Sequence, residues 1–214
     1  SQYLTALLIC APYCESPLTI QVEGDLISAP YVFLTMDVMK HFGVFAESPV
    51  GYPLQFVVPK ASFLSPGDYM VEGDAAVSEA IAASYSAFMP FKRYIEYPLA
   101  AAAITGGKVK VLGVGNLSRQ GDIAFASVLE DMGAKVTWGA DFIECEGSGK
   151  KLKSLVDYDA IEIPDAAMTV AVLALFADAP TMLRGIGSWR VKETDRIAAM
   201  ANELRKVGAT VTES

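Results

Sequence analysis

The sequence predicts an α/β fold (α+β in some schemes) made of repeated helix–strand–loop–helix–strand units. Three observations predict it. Apolar stretches with helical spacing alternate with short stretches of strand character along the chain. Three helical stretches close on one pattern: Met39-Lys40-His41-Phe42-Gly43-Val44, Leu129-Glu130-Asp131-Met132-Gly133-Ala134 and Leu204-Arg205-Lys206-Val207-Gly208-Ala209. Such self-similarity marks an internal repeat. Finally, the loop before the second helix of each unit carries polar residues, so units related by rotation would gather those loops on one side.

In the first unit, residues 2–13 form an apolar helix through Leu4, Ala6, Leu7, Leu8 and Ala11, and 18–22 alternate as a strand. Gly24-Asp25 opens a loop carrying Ser28, which alone reads as a helix N-cap. A helix over 30–42 starts on Pro30, whose fixed φ and missing N–H suit a first turn, and Gly43 ends it. Strands are expected at 44–47 and 54–58. The second unit repeats the order: an Ala-rich helix at 99–104, a strand at 108–112, and a loop with Ser118, Gln120 and Asp122. A helix at 123–132, Gly133, and strands at 135–138 and 142–145 follow. The third has a helix at 166–176, a strand at 181–186, the loop 189–196, a helix at 197–207, Gly208 and a strand at 210–212. Residues 76–98 break the pattern. Their first part is helix-like, and Pro90, Lys92, Arg93 and Pro98 then mark a surface excursion.

Composition bounds the function. The 214 residues are 52% hydrophobic, without a low-complexity tract, which supports a sizeable core. The net charge of −8 disfavours nucleic acid or an anionic membrane surface as partner. The longest apolar run, 166–177, is too short to span a bilayer, and no signal peptide pattern opens the chain. A start on Ser1, without methionine and straight into a helical pattern, is expected of a fragment or a processed chain. Cys10, Cys14 and Cys145 make no disulfide framework, and no Cys/His set has metal-ligand spacing. A reducing compartment, no metal and no cofactor is the simplest expectation. His41, the single histidine, reads as a partly solvated residue near a helix end.

The stretch 189–196 holds three cations, two acids and a tryptophan in eight positions, where a merely connecting loop would use Gly, Asn or Pro. Two readings stand side by side. One is a solvated helix start with Glu193 and Arg196 paired at i, i+3. The other is an anion site, in which Lys192 and Arg196 add to the positive end of the following helix. Arg184 and Arg190 are expected to join that concentration of charge.

Taken together, several runs resemble the 5-enolpyruvylshikimate-3-phosphate synthase family. They are Ser1-Gln2-Tyr3-Leu4-Thr5-Ala6-Leu7-Leu8, Val71-Glu72-Gly73-Asp74-Ala75, and Gln120-Gly121-Asp122 with Val128-Leu129-Glu130-Asp131-Met132-Gly133-Ala134. Pro164-Asp165-Ala166-Ala167-Met168-Thr169 and the run 189–196 complete the set. The five stand in family order across nearly the whole chain. The resemblance implies a two-domain enolpyruvyl transferase-like fold of six βαβαββ units, three to a domain, with the active site in the cleft; it is incomplete in this chain. By that likeness, residues 1–70 are the last part of the first, shikimate 3-phosphate-side domain. Residues 71–214 are the first two units of the second, with an insertion at 76–98. The implied reaction transfers enolpyruvyl from phosphoenolpyruvate to the 5-hydroxyl of shikimate 3-phosphate, releasing phosphate, in the cytoplasm or in the plastid of a plant or alga. Glyphosate competes at the phosphoenolpyruvate site of this family.

The resemblance also implies residue roles. Ser1, Gln2, Ser28 and Tyr31 match positions that bind shikimate 3-phosphate, and Gln2 also reaches phosphoenolpyruvate. Asp165 matches an aspartate near the 5-hydroxyl and C3, although alone it reads as a helix N-cap. Lys192 is placed to contact the 5-hydroxyl, Glu193 to move the C3 proton, Arg196 to bind phosphoenolpyruvate, and Ser188 to contact the hydroxyls. Other family motifs, with several phosphoenolpyruvate-binding cations, are absent from these residues, so the isolated chain is expected to be inactive. Two alternatives remain: a non-catalytic or split fragment needing a complementary chain, and a relative acting on UDP-N-acetylglucosamine. The second often places a cysteine in an active-site loop, where none of Cys10, Cys14 and Cys145 lies.

Overall fold

Short strands with one apolar face, covered by helices, make up each half of the chain. A computed structural model describes residues 2–49, 54–67 and 95–213. Ser1, the Gly73-Asp74-Ala75 run and residues 76–94 of the expected insertion lie outside the described residues, as does the side chain of Gln2. The chain forms two compact units, Ser1–Val71 with Arg119–Gly121 and Glu72–Ser118 with Asp122–Ser214.

The first unit contains helix α1 (Gln2–Cys10), strand β1 (Leu18–Gln21), helix α2 (Ala29–His41) and strand β2 (Gln55–Val58). Pro12 cannot donate to an α-helical ladder, and the chain tightens into a 3-10 turn over Ala11–Tyr13. β1 and β2 pair antiparallel, with Leu18 opposite Val58 and Ile20 opposite Phe56. α1 packs on α2, and Leu4, Leu8, Val32, Met39, Val44, Phe56 and Val58 fill the space between helices and strands. The strand expected at 44–47 reduces to one bridge, in which Glu47 and Val57 exchange both backbone hydrogen bonds. His41 lies exposed at the end of α2, its ring Nδ1 2.8 Å from the Asp37 carbonyl oxygen.

The second unit begins with helix α3 (Glu96–Thr105) and strand β3 (Lys108–Leu112). Helix α4 (Ala124–Asp131) and strands β4 (Lys135–Trp138) and β5 (Phe142–Glu146) follow. β5 runs between β3 and β4 and is antiparallel to both. Its Ile143 and Cys145 point into the core, opposite Val111 and Val109 on one side and Trp138 and Val136 on the other. Burial pushes the Cys145 thiol up to about 11. The other face of the sheet is charged, with Lys108 2.8 Å from Glu144, as expected of an antiparallel sheet covered on one side. α3 and α4 supply the cover through Leu99, Ala103, Phe125 and Leu129.

Residues 95–98 correct the expected excursion. Ile95 is fully buried in this core, and Pro98 sits in the first turn of α3, where a missing N–H costs nothing.

The remainder comprises strand β6 (Tyr158–Asp159), helix α5 (Ala167–Leu173), strand β7 (Leu183–Arg184) and helix α6 (Arg196–Lys206). The helix expected at 166–176 tightens to 3-10 over Ala174–Phe176. The strand expected at 181–186 shrinks to β7, which pairs in parallel with β6. No strand forms at 210–212. Side chains hold that segment instead: Arg205 donates to the Val211 carbonyl at 2.7 Å and to Glu213 at 2.9 Å.

The helix endings anticipated as a repeat share one geometry. Gly43, Gly133 and Gly208 adopt φ of 84°, 94° and 92°. Each donates its N–H back three residues, and the next residue donates back five, to Met39, Leu129 and Leu204 respectively. This is the Schellman closure of a helix, which requires a left-handed residue at that point.

Gly185 is a further position where the backbone decides. It has φ +75°, and a Cβ there would overlap Asp159 Oδ1. That carboxylate cannot swing away freely: it accepts from the Ile161 amide at 3.1 Å and from Arg184 at 2.7 Å. Gly185→Ala should therefore destabilise the chain by about 1–3 kcal/mol, read as a lowered denaturation midpoint. An unchanged midpoint would mean that β7 relaxes without cost.

Candidate active site

After β7 the chain enters a 3-10 turn, Gly187–Val191, before α6. The turn is anchored by Trp189, whose amide donates to the Ile186 carbonyl at 2.9 Å. Its ring is only 2% exposed, and its indole N–H donates to the Pro164 carbonyl at 2.6 Å. A buried indole requires such an acceptor.

α6 starts at a true N-cap. Asp195 has extended backbone (φ −71°, ψ 92°), and its carboxylate accepts from the Ala198 amide at 3.1 Å. That bond, with Arg190 Nη1 3.0 Å from its other oxygen, holds the Asp195 carboxyl below the ordinary range. Part of the positive end of α6 is thus already neutralised from within.

Between turn and cap, Lys192 and Glu193 meet Arg196 and Asp165. Arg196 grips Glu193 with two prongs, Nε to Oε1 at 2.8 Å and Nη2 to Oε2 at 2.9 Å. Its third nitrogen, Nη1, lies 2.6 Å from Asp165 Oδ1, and Lys192 Nζ lies 3.7 Å from the same oxygen. The Arg196 side chain is 14% exposed, whereas Glu193 is 65% and Asp165 47% exposed. So a nearly covered guanidinium presents two solvent-facing carboxylates. Its hydrogen bonds hold the Glu193 carboxyl below the usual carboxylate range, and the bond to Glu193 raises Arg196.

The i, i+3 pair read from the sequence is therefore present, and it forms part of a larger cluster. Asp165 is not the helix cap it resembles in isolation, because α5 has no side-chain cap and the carboxylate turns to the cations. Two of the four expected cations lie elsewhere. Arg184 is held by Asp157 at 2.8 Å and Asp159 at 2.7 Å, and Arg190 is engaged by Asp195. A run of cations along the sequence does not converge when acids local to each one are better placed. Ser188 has a buried Oγ with no hydrogen-bond partner among the described residues.

In the first unit, Ser28 precedes α2 in the left-handed region, φ 58° and ψ 44°. It is the one described residue other than glycine with positive φ. Its hydroxyl makes no cap bond, although its carbonyl accepts from the Tyr31 amide at 3.2 Å. Such a conformation costs roughly 1 kcal/mol and persists where the surroundings impose it. Tyr31 lies half-buried in the first turn of α2, and its carbonyl accepts from the Thr35 hydroxyl at 2.8 Å. Among the described residues, no set of three or more His, Cys, Asp or Glu side chains could hold a metal ion, and no helix is long and apolar enough to cross a membrane.

The pairing of Trp189 with Pro164 was not anticipated, nor were the Asp157 and Asp159 partners of Arg184. A large aromatic inside a charged run was the signal for the first.

Comparison with known proteins places this geometry in context. A family model described as EPSP synthase (3-phosphoshikimate 1-carboxyvinyltransferase) matches residues 1–214. A 3-phosphoshikimate 1-carboxyvinyltransferase of Serratia proteamaculans (strain 568) is 51% identical over 213 residues, covering 100% of this chain and 45% of that protein. One from Yersinia pestis bv. Antiqua (strain Angola) gives the same identity and coverage. The chain thus spans a little under half the length of the curated relatives it matches. Among solved structures, an EPSP synthase of Acinetobacter baumannii aligns over the whole chain and 44% of its own, with TM-score 0.71 and 19% identity. The enolpyruvyl transferase NikO of Streptomyces tendae aligns over 86% of this chain and 39% of its own, with TM-score 0.58 and 17% identity. These structures share the α/β fold, of which this chain holds a part.

Proposed function

Because the chain belongs to the EPSP synthase family, we propose that it carries part of an active site for enolpyruvyl transfer from phosphoenolpyruvate to the 5-hydroxyl of shikimate 3-phosphate. The observation that carries this reading is the meeting of Asp165, Lys192, Glu193 and Arg196 at one partly exposed point. In the reaction the 5-hydroxyl oxygen bonds to C2 of phosphoenolpyruvate as its proton leaves, and C3 gains a proton. The C2–O bond to phosphate then breaks, and C3 returns a proton. Such chemistry needs acid and base groups around one carbon, set against cations that balance the substrates' charge.

Arg196 takes the role of phosphoenolpyruvate ligand. Its planar fork suits phosphate or carboxylate, and Glu193 now fills two of its prongs. An anion binding there competes with Glu193. Once released, the Glu193 carboxyl loses the bonds that depress it and moves toward its ordinary range, nearer to a group that can carry the C3 proton. Lys192 stabilises charge at the 5-hydroxyl, and Asp165 acts near that hydroxyl and C3. Ser188 supplies a polar contact from a hydroxyl that has no partner among the described residues. Ser1, Gln2, Ser28 and Tyr31 serve shikimate 3-phosphate, with Gln2 shared with phosphoenolpyruvate. The first unit is then the end of the shikimate 3-phosphate-side domain, and the second unit the beginning of the other.

The test is a chimera in which this chain replaces the aligned part of the Serratia proteamaculans relative. Phosphate should appear only when both substrates are present, while the 214-residue chain alone gives none. A folded chimera that binds shikimate 3-phosphate by calorimetry yet releases no phosphate would sink the catalytic reading in favour of a binding-only chain.

A further inference from the structure

Two segments far apart in sequence build the cluster, residues 163–166 with Asp165 and residues 187–196 with the cations and Glu193. Long, partly exposed side chains hold geometry poorly by themselves, since ordering them costs entropy. The buried bond from Trp189 Nε1 to the Pro164 carbonyl joins the same two segments. Pro164 is buried, and it directly precedes Asp165. Trp189 stands three positions before Lys192. The start of α5 leaves this carbonyl available: the Ala167 amide turns to Ile163 at 2.9 Å and the Met168 amide to Asp165 at 3.4 Å. The indole itself is packed in the core of the second unit, so its N–H is fixed in direction.

We infer that Trp189 is a positioning residue, whose indole N–H sets the distance between Asp165 and the Lys192–Arg196 cations. This deepens the reading above, because it states what holds the proposed acid–base group against its cations. A purely structural tryptophan would stabilise the fold without affecting how strongly Asp165 and Arg196 sense each other.

That difference is measurable in the 214-residue chain without any substrate. A double-mutant cycle of Asp165→Asn and Arg196→Gln, read from denaturant unfolding, gives their coupling. With Trp189 intact, the coupling should change the unfolding constant by about threefold to fivefold, the upper part of the range for such pairs. The cycle is then repeated with Trp189→Phe, which removes the donor. It is also repeated with 3-benzothienylalanine placed at position 189, which keeps the ring's shape and replaces N–H by sulfur. That second replacement serves if the phenylalanine variant fails to fold. Loss of the coupling to within about 1.5-fold of unity, with a shifted NMR signal of the Arg196 Nε–H, supports the inference. A coupling that survives in the benzothienyl chain overturns it, as does an unmoved Arg196 signal. Neither result bears on whether the chimera turns over substrate, so this inference and the proposed function can fail separately.

Discussion

Asp165→Ala and Glu193→Gln, each made in the chimera, should lower kcat by about 10²–10⁴-fold, the range associated with losing a positioned acid or base. Glu193 is largely solvent-facing, Asp165 is about half exposed and caps no helix, and neither belongs to the apolar core. Thermal unfolding should therefore move little while turnover collapses. Glu193→Gln keeps the size of the side chain, and its carbonyl can still accept from Arg196, so a loss of rate there points to the proton and not to the fork. Asp165→Ala releases Arg196 Nη1 and Lys192 together, so binding of phosphoenolpyruvate should hold or tighten even as turnover falls. Near-normal rates in both variants would remove these residues from the chemistry.

Arg196→Met should raise the KM for phosphoenolpyruvate by about 10–100-fold at saturating shikimate 3-phosphate. A hydrogen bond to a charged group contributes about 1.5–3 kcal/mol, and the fork offers more than one. Arg196→Lys keeps the charge but not the planar geometry, and should recover only part of the loss. The substitution also frees Glu193 from the guanidinium that holds its carboxyl low. The acid limb of the pH profile of kcat/KM, which reports the free enzyme, should therefore move upward in Arg196→Met. A KM unchanged in Arg196→Met, with only kcat reduced, would reassign Arg196 from substrate binding to the chemical steps.

Much of this was legible in the sequence, for physical reasons that differ between elements. Helices α2, α4 and α6 were readable because period and closing glycine are local, helped in α2 by Pro30 in the first turn. β3, β4 and β5 were readable because one face alternates against charge. β6 was missed: two residues carry no period, and their pairing partner lies about 25 positions away. The strands expected at 44–47 and 210–212 have suitable side chains, but a strand needs a neighbour's backbone, which single-chain patterning does not supply. At the site, the Glu193–Arg196 pair follows from spacing on one turn. Joining it to Asp165 takes a contact across 31 positions, which was expected only through the family likeness. The commitment of Arg184 to Asp157 and Asp159 was hidden for the same reason.

The three glycine closures carry a consequence for how such a chain can change over evolutionary time. Each works as punctuation written entirely in its own few residues, whatever comes next. After Gly133 the chain enters a paired strand; after Gly208 it runs unpaired; after Gly43 it makes a single bridge. A helix that ends itself in this way can be duplicated, or moved into a new setting, before any partner strand is in place. The copy arrives already terminated, and selection need only find the pairing. The endings are thus a portable part of the unit, since their geometry needs nothing beyond their own residues.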